Sequence, residues 1–343
     1  MRDPSRHEEL TFSGIQPTGT IHLGNYLGAI RNWVAMQDEG NCIFCVVDLH
    51  AITIPQVPEE LRSHIREIAA ALIACGLDPD KVILFRQSQV SAHAELWWIL
   101  NSIASMGWLN RMTQFKQKAG KDQAEASVGL FAYPVLQAAD VLTYKTTHVP
   151  VGEDQRQHIE LARDIAMRFN TIYATEFFPL PEAVIPKDAA RVMSLVSGQT
   201  KMSKSDQDDN SRINLLDDPS LISEKIARAC DGLGEISGSQ EDLATSPKAE
   251  NLVRIYAALA QEDVGKVVEE FGGSATERFQ RALADRLVAE LSPISQEFQR
   301  LLSDKAHLDR ILAAGADKAR SIADPILDDV YDIIGMSRRS RFG

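Results

Sequence analysis

Two hydrophobic rhythms run along the chain, and the place where one gives way to the other divides it. In the first part, short apolar runs at 9–14, 42–47 and 82–85 alternate with stretches whose apolar positions recur at helical spacing. A helix is predicted from near Asn25 to about Met36. The clearest helix opens at Pro58 and Glu59, carries Leu61, Ile65, Ile68 and Leu72 on one face, and closes at Gly76. Strand, helix, strand, helix, strand is the rhythm of a parallel sheet, whose ligands sit beyond the carboxyl ends of the strands. The loop after the first strand, His50 and Gln87 all fall at such ends. Residues 92–144 read as helical, with Trp97, Trp98 and Trp108 assigned to core packing and the polar KQKAGKDQAE at 116–125 to an exposed loop. HVPVG at 148–152 is the last strand-like run, and GEDQ then opens a helix through Phe169.

Beyond Asp217 the strands stop. Faces at Phe279, Leu283, Leu287 and Leu291, and again at Ile322, Ile326, Val330 and Ile333, read as a small helical bundle. The pattern predicts an α/β chain: a Rossmann-like parallel-sheet domain over 8–216 with a helical insertion at about 92–146, an all-helical domain over 217–335, and a basic tail at 336–343.

Composition adds exclusions. A chain of 343 residues exceeds one comfortable core, which fits the two-part pattern. No apolar run approaches the roughly 18 to 20 residues of a membrane helix, and MRDPSRHEEL is too polar for a signal peptide, so a cytoplasmic location is expected. Cys42 and Cys45 form a CxxC, but on a strand residues three apart face opposite sides, so they are not co-ligands and no metal site is expected. The net charge of −12 argues against non-specific adhesion to nucleic acid. An RNA partner would need local basic groups, for which Arg111, Lys116, Lys118 and Lys121, and the tail residues Arg338, Arg339 and Arg341, are candidates. A merely solvated surface is the alternative.

Three stretches carry chemistry. FSGIQPTGTIHLGN (12–25) sets Gly14, Pro17, Gly19 and Gly24 between the first strand and its helix. So bare a backbone can approach an anion closely, and free N–H groups at the helix start, beside His22 and Asn25, suit polyphosphate. Three glycines alone would serve equally in an ordinary strand-to-helix turn. Far downstream, KMSKS (201–205) puts two lysines in a Ser/Gly-rich segment that reads as mobile; lysines so placed are usually solvated surface, but two at this spacing suit a polyphosphate. In YPVLQAAD (133–140), Tyr133, Gln137 and Asp140 stand at i, i+4 and i+7, on one helical face. A lone carboxylate on an apolar face is costly unless paired; a ligand N–H could pair it, and so could a helix cap or a salt bridge.

Together these strings resemble the signature motifs of class I aminoacyl-tRNA synthetases, the first in the HxGN form (His22, Gly24, Asn25). GIQPTG (14–19), DLHAIT (48–53), MTQFK (112–116), YPVLQAAD, PVGEDQRQHIEL (150–161) and KMSKSD (201–206) resemble, in order, the tryptophanyl-tRNA synthetase family. The resemblance implies a catalytic domain over 8–216 with its KMSKS loop at 198–207, and a tRNA anticodon-binding domain over 217–335. It implies activation of L-tryptophan by ATP with release of pyrophosphate, then transfer to tRNA(Trp). Mg2+ would be carried by the nucleotide phosphates. The partners implied are tryptophan, tRNA(Trp) and a second copy in a homodimer, with no membrane and no DNA.

By the same resemblance His22, Asn25, Lys118, Lys201 and Lys204 are catalytic. Gln16, Pro17, Thr18, Gly24 and Asn25 hold ATP from the first loop, and Gly152, Glu153 and Asp154 face its ribose. Val192 and Met202 offer backbone to adenine, while Lys201, Ser203, Lys204 and Ser205 close over the phosphates. Asp140, Tyr133, Gln137, Phe12, Gly14, His50, Val149, Val151 and Gln155 form the tryptophan pocket, with Gln137 standing where well-known bacterial members carry Met. Tyrosine activation on the same fold, a small-molecule nucleotidyltransferase and a catalytically silent tRNA-binding relative are the alternatives.

Overall fold

The computed structural model describes residues 9–113, 126–185, 191–204 and 206–338. Strands β1 (Leu10–Ile15), β2 (Asn41–Val46), β3 (Ile83–Arg86), β4 (His148–Pro150) and β5 (Glu182–Val184) form one parallel sheet in the order β3-β2-β1-β4-β5. The sequence pattern ended the sheet at β4. β5 was missed because it is three residues long, on an edge, and only half-buried, so it leaves no apolar run. Strand order reverses between β1 and β4, which opens a crevice at their carboxyl ends.

Alternation along β2 sorts the interior. Cys42, Phe44 and Val46 enter one apolar core, Ile43 and Cys45 the other, so the two cysteines point to opposite faces as their spacing requires. The predicted first helix is interrupted. It runs as α1 (Leu23–Asn25), a π-helical turn (Tyr26–Ile30) and α2 (Arg31–Met36), and the Tyr26 hydroxyl donates to Glu290 Oε1 at 2.6 Å. A π turn holds an extra residue and re-aims those after it. Here it is Gly28, Ala29, Asn32 and Trp33 that reach the crevice.

The helices that follow are α3 (Asp48–Ala51), α4 (Pro58–Ala74), α5 (Ala92–Asn101), α6 (Met106–Leu109), α7 (Val128–Leu142) and α8 (Arg156–Ile172). After β5 come α9 (Pro219–Cys230), α10 (Gln240–Leu243), α11 (Pro247–Ala260), α12 (Val264–Phe271), α13 (Thr276–Ser303) and α14 (Lys305–Ile333). Phe279, Leu283, Leu287 and Leu291 of α13 are buried in the same core as Ile68 and Leu72 of α4. The later helices thus share apolar interior with the sheet domain.

Helix α14 crosses the sheet edge at β3. Leu308 and Leu312 enter the first core, whereas Ala316, Ala319, Ala323, Leu327 and Val330 enter the second. The buried stripe is therefore alanine-rich and differs from the isoleucine face expected: Ile322, Ile326 and Ile333 lie half-buried at its margin. Close approach selects small residues, most sharply at Gly315, where an added Cβ would stand 1.9 Å from the carbonyl oxygen of Leu84. The helix thereby covers an edge that would otherwise be open to pairing.

Two further expectations are corrected. Trp98 is 69% exposed, on the outer face of α5, whereas Trp97 and Trp108 are half-buried and pack against the second core as expected. Arg338 is not available to RNA: its guanidinium donates to Glu95 at 2.9 and 3.0 Å and to Asp324 at 3.0 Å. Lys116, Lys118, Lys121, Arg339 and Arg341 lie outside the described residues.

Gly315→Ala tests the edge packing. Helix propensity favours alanine by about 1 kcal/mol, but overpacking against backbone costs about 1–3 kcal/mol or more. Urea denaturation should show a net loss of stability, whereas Gly40→Ala, where a Cβ meets nothing within 4 Å, should change it little.

Candidate active site

A cavity of about 400 Å³ opens where the strand order reverses. Phe12 and Gly14 of β1, Val149 of β4, and Val151 and Gln155 just beyond it form two walls. His50 of α3 and the Tyr133, Gln137 and Asp140 face of α7 complete it, so the residues expected around an amino acid come together. Sequence reasoning missed Asn32 and Trp33, which also line it. Asn32 Nδ2 is buried without a hydrogen-bond partner. A lone amide within the apolar YLGAIRNWV was the only signal, and the π turn that aims it leaves none.

Asp140 departs from the expected lone carboxylate. It is 2% exposed, and its Oδ2 meets His50 Nε2 at 2.7 Å while its Oδ1 meets Gln87 Nε2 at 2.6 Å and His93 Nδ1 at 2.7 Å. Burial opposes its ionisation, but the charges and hydrogen bonds of His50 and His93 outweigh that and hold the carboxyl at about 2. Gln87 also accepts from the Leu49 N–H at 3.1 Å, which fixes α3 against the end of β3. His93 escaped sequence reasoning because a single histidine on an apolar helix reads as core. The residue it serves is 47 positions away.

The second half of the crevice is the glycine loop. The Lys204 ammonium donates to the carbonyl oxygens of Thr18 at 2.8 Å and Gly19 at 3.3 Å, so the two signature motifs touch. Gly24 leaves no room between them: an added Cβ would meet the His22 ring at 3.1 Å and Met202 Cβ at 3.4 Å. The free N–H groups expected at the helix start are largely spent. Leu23 N–H bonds Ile213 O at 2.8 Å, and those of Asn25 and Tyr26 return to His22 O. Chain 21–23 is thus paired with 213–215, Leu215 N–H reaching Ile21 O at 3.0 Å. Asn25 Oδ1 accepts from the His22 N–H at 3.2 Å.

Nor is the lysine segment loosely held. Met202 N–H bonds Val192 O at 3.1 Å and Ser194 N–H bonds Thr200 O at 2.7 Å, which makes a hairpin. Asn251 of α11 clamps its base, accepting from Met193 N–H at 2.8 Å and donating to Met193 O at 3.0 Å. Gly198 at its tip takes φ +66, with the backbone of Pro247 and Lys248 only 2.5 Å from where a Cβ would be. Val192 and Met202 are buried by side chain, Ser203 is half-buried, and Lys201 reaches Asp154 at 3.7 Å. Gly152 lies against Asp154, whereas Glu153 is turned to Arg156 at 2.7 Å on the surface. Gln16 lines the cavity, and Pro17 and Thr18 continue the loop from it. Lys118 and Ser205 lie outside the described residues.

Burial is the largest influence on His22, followed by the nearby charges of Lys204, Arg212 and Lys201, and together they lower its pKa to about 4. At neutral pH it is therefore an uncharged ring, its Nδ1 buried without a hydrogen-bond partner. Burial also lowers Lys204 to about 8, against a weak upward pull from Glu67.

A doubly wound parallel sheet with a cavity at its switch point places the chain among the Rossmann-like α/β proteins. The chain belongs to the tRNA synthetases class I (W and Y), a family that matches residues 5–292. It is 52% identical to the tryptophan–tRNA ligase of Rhizobium meliloti, over 95% of this chain and 98% of that one. The tryptophanyl-tRNA synthetase of Mycoplasma pneumoniae superposes with a TM-score of 0.85 at 32% identity, over 96% of this chain and 98% of that one. The Campylobacter jejuni enzyme solved with ADP and tryptophan gives 0.81 at 34% identity, over 95% and 100%.

The Lys204 environment sets a pH dependence. Its ammonium carries charge below about pH 8 and loses it above, so kcat/KM for ATP, which reports the free enzyme, should fall on the alkaline side with a pKa of about 8. In Lys204→Arg that limb should move beyond the measurable range, whatever the absolute rate.

Proposed function

We infer that this protein is a tryptophan–tRNA ligase. The observation that carries the reading is identity of about half over nearly the whole length of a tryptophan–tRNA ligase, in a chain whose cavity sits at the switch point of its sheet. In the first step a carboxylate oxygen of tryptophan bonds to the α-phosphorus of ATP and the bond to the β-phosphate oxygen breaks, releasing pyrophosphate. In the second, a ribose hydroxyl at the tRNA 3′ end attacks the acyl carbon and AMP leaves.

The attacking carboxylate is already an anion, so the first step needs no general base. Alignment and charge stabilisation must supply the rate. In this proposal the cavity from Phe12 to Asp140 holds the amino acid, and the 16–25 loop, Gly152 and Asp154 hold the nucleotide. Lys201 and Lys204 meet the charge that grows on the departing pyrophosphate. Lys204 would exchange the Thr18 and Gly19 carbonyls for phosphate, which restores its full charge. A divalent cation enters on the ATP phosphates; among the described residues no three His, Cys, Asp or Glu side chains are grouped to hold one. The helices from 217 to 335 are proposed as the tRNA-binding module. With an acid excess there and Arg338 engaged, recognition would be local and base-directed.

A second copy is proposed as partner. Trp98, Met106 and Val128 are 69%, 65% and 79% exposed and Ile52 and Ile54 58% and 51%; α5 and α6 both pack on α7, and the 52–54 segment meets the start of α7 where Ser127 Oγ donates to Thr53 O at 3.0 Å. So much exposed apolar surface on adjoining elements fits an obligate interface.

ATP–pyrophosphate exchange measured with each of the twenty amino acids should respond to tryptophan alone, at least a hundredfold above tyrosine; equal response to tyrosine would overturn the reading. Sedimentation should give a dimer, and Trp98→Asp together with Val128→Asp should yield monomers with native circular dichroism.

A further inference from the structure

The donors that touch Asp140 leave a distinctive remainder. An ionised carboxylate offers about four lone-pair directions. Gln87 Nε2 and His93 Nδ1, at 2.6 and 2.7 Å, fill both on Oδ1, and His50 Nε2 at 2.7 Å fills one on Oδ2. One acceptor direction is left, on Oδ2, in a carboxylate that lines the cavity.

The donors are themselves locked. Gln87 Oε1 accepts from Leu49 N–H at 3.1 Å, so its amide must turn the NH2 end towards Asp140. His93 is fully buried, with Nε2 on the Tyr144 hydroxyl at 2.8 Å. An ionised carboxylate only accepts, so His93 Nδ1 carries the proton that faces Asp140, and the Tyr144 hydroxyl holds the ring from its other nitrogen.

We propose that Gln87 and His93 are positioning residues that set the amino-acid specificity of this site: by saturating Oδ1 they leave a single acceptor with no uncommitted donor on the same carboxylate. This rests on Asp140 being the partner of the indole N–H. An indole offers one donor and no in-plane acceptor, so it matches. A phenol could donate to Oδ2, but the three donors on the carboxylate are already committed to it and none is free to meet the phenol's own lone pairs, and an unmet buried acceptor is disfavoured. A phenyl ring offers no donor at all. Selectivity here arises from what the carboxylate withholds as well as from what it accepts.

The test compares kcat/KM for tryptophan with that for β-(3-benzothienyl)alanine, which has sulfur in place of the N–H, by pyrophosphate exchange. Their ratio isolates the N–H contact, because lost packing affects both amino acids alike. His93→Leu and, independently, the shape-preserving Gln87→Met should each lower the ratio about tenfold or more, through KM for tryptophan and with KM for ATP unchanged. His93→Asn, whose amide nitrogen stands near the place of Nδ1, should restore most of it. Should His93→Leu fail to fold, Gln87→Met reads the same quantity. Asp140→Ala separates the two levels. A ratio that survives Asp140→Ala overturns the pocket reading itself. A ratio that collapses there but is unchanged in Gln87→Met and His93→Leu overturns this proposal alone.

Discussion

The organisation of the site follows from the cost of one buried charge. An ionised carboxylate removed from water is tolerated only when its lone pairs are met, since the desolvation penalty runs to several kcal/mol. Asp140 is met from three elements besides its own: His50 from α3, Gln87 from the turn after β3, and His93 from α5. Gln87 passes the constraint on, through Leu49, to the backbone that carries His50. The cavity floor is therefore fixed by satisfaction of a charge, and the apolar walls are free to be shaped around a ring.

The nucleotide side is assembled differently, by backbone. Pairing of 21–23 with 213–215 brings the two signature motifs side by side although almost two hundred residues separate them. Lys225 secures the far end of that pairing: buried to 2% exposure, it donates to Asp209 at 2.6 Å and to Asp217 at 2.7 Å, and Asp217 accepts from Asn214 N–H at 2.9 Å. A buried lysine between two carboxylates is held by geometry, and losing either partner would leave charge uncompensated.

The sequence made the parallel sheet and the shared face of Tyr133, Gln137 and Asp140 legible, because both depend on local periodicity. It also exposed the two motifs, since the glycine loop and the paired lysines occur together in the one chain although each alone has an ordinary structural use. What it hid depends on distance or on geometry without a compositional trace. Nothing in AHAELWW marks His93 as a partner of Asp140. Nothing in YLGAI announces a π turn, and the short edge strand Glu182–Val184 carries no apolar run. The hydrophobic count around Trp98 suggested burial, whereas the structure turns that ring outward. Periodicity reports which face is apolar and is silent on whether the chain itself or another molecule covers it.

The path of α14 has a consequence for how the chain is made. Its glycine lies on the carbonyl of Leu84, roughly 230 residues behind it in the chain. Domains fold from the N-terminus as they emerge from the ribosome, at about 5–20 residues per second. The β3 edge is thus finished on the order of ten to fifty seconds before the helix that covers it exists. During that interval a nascent sheet presents unpaired backbone to the cell, and the arrival of α14 is what ends its exposure.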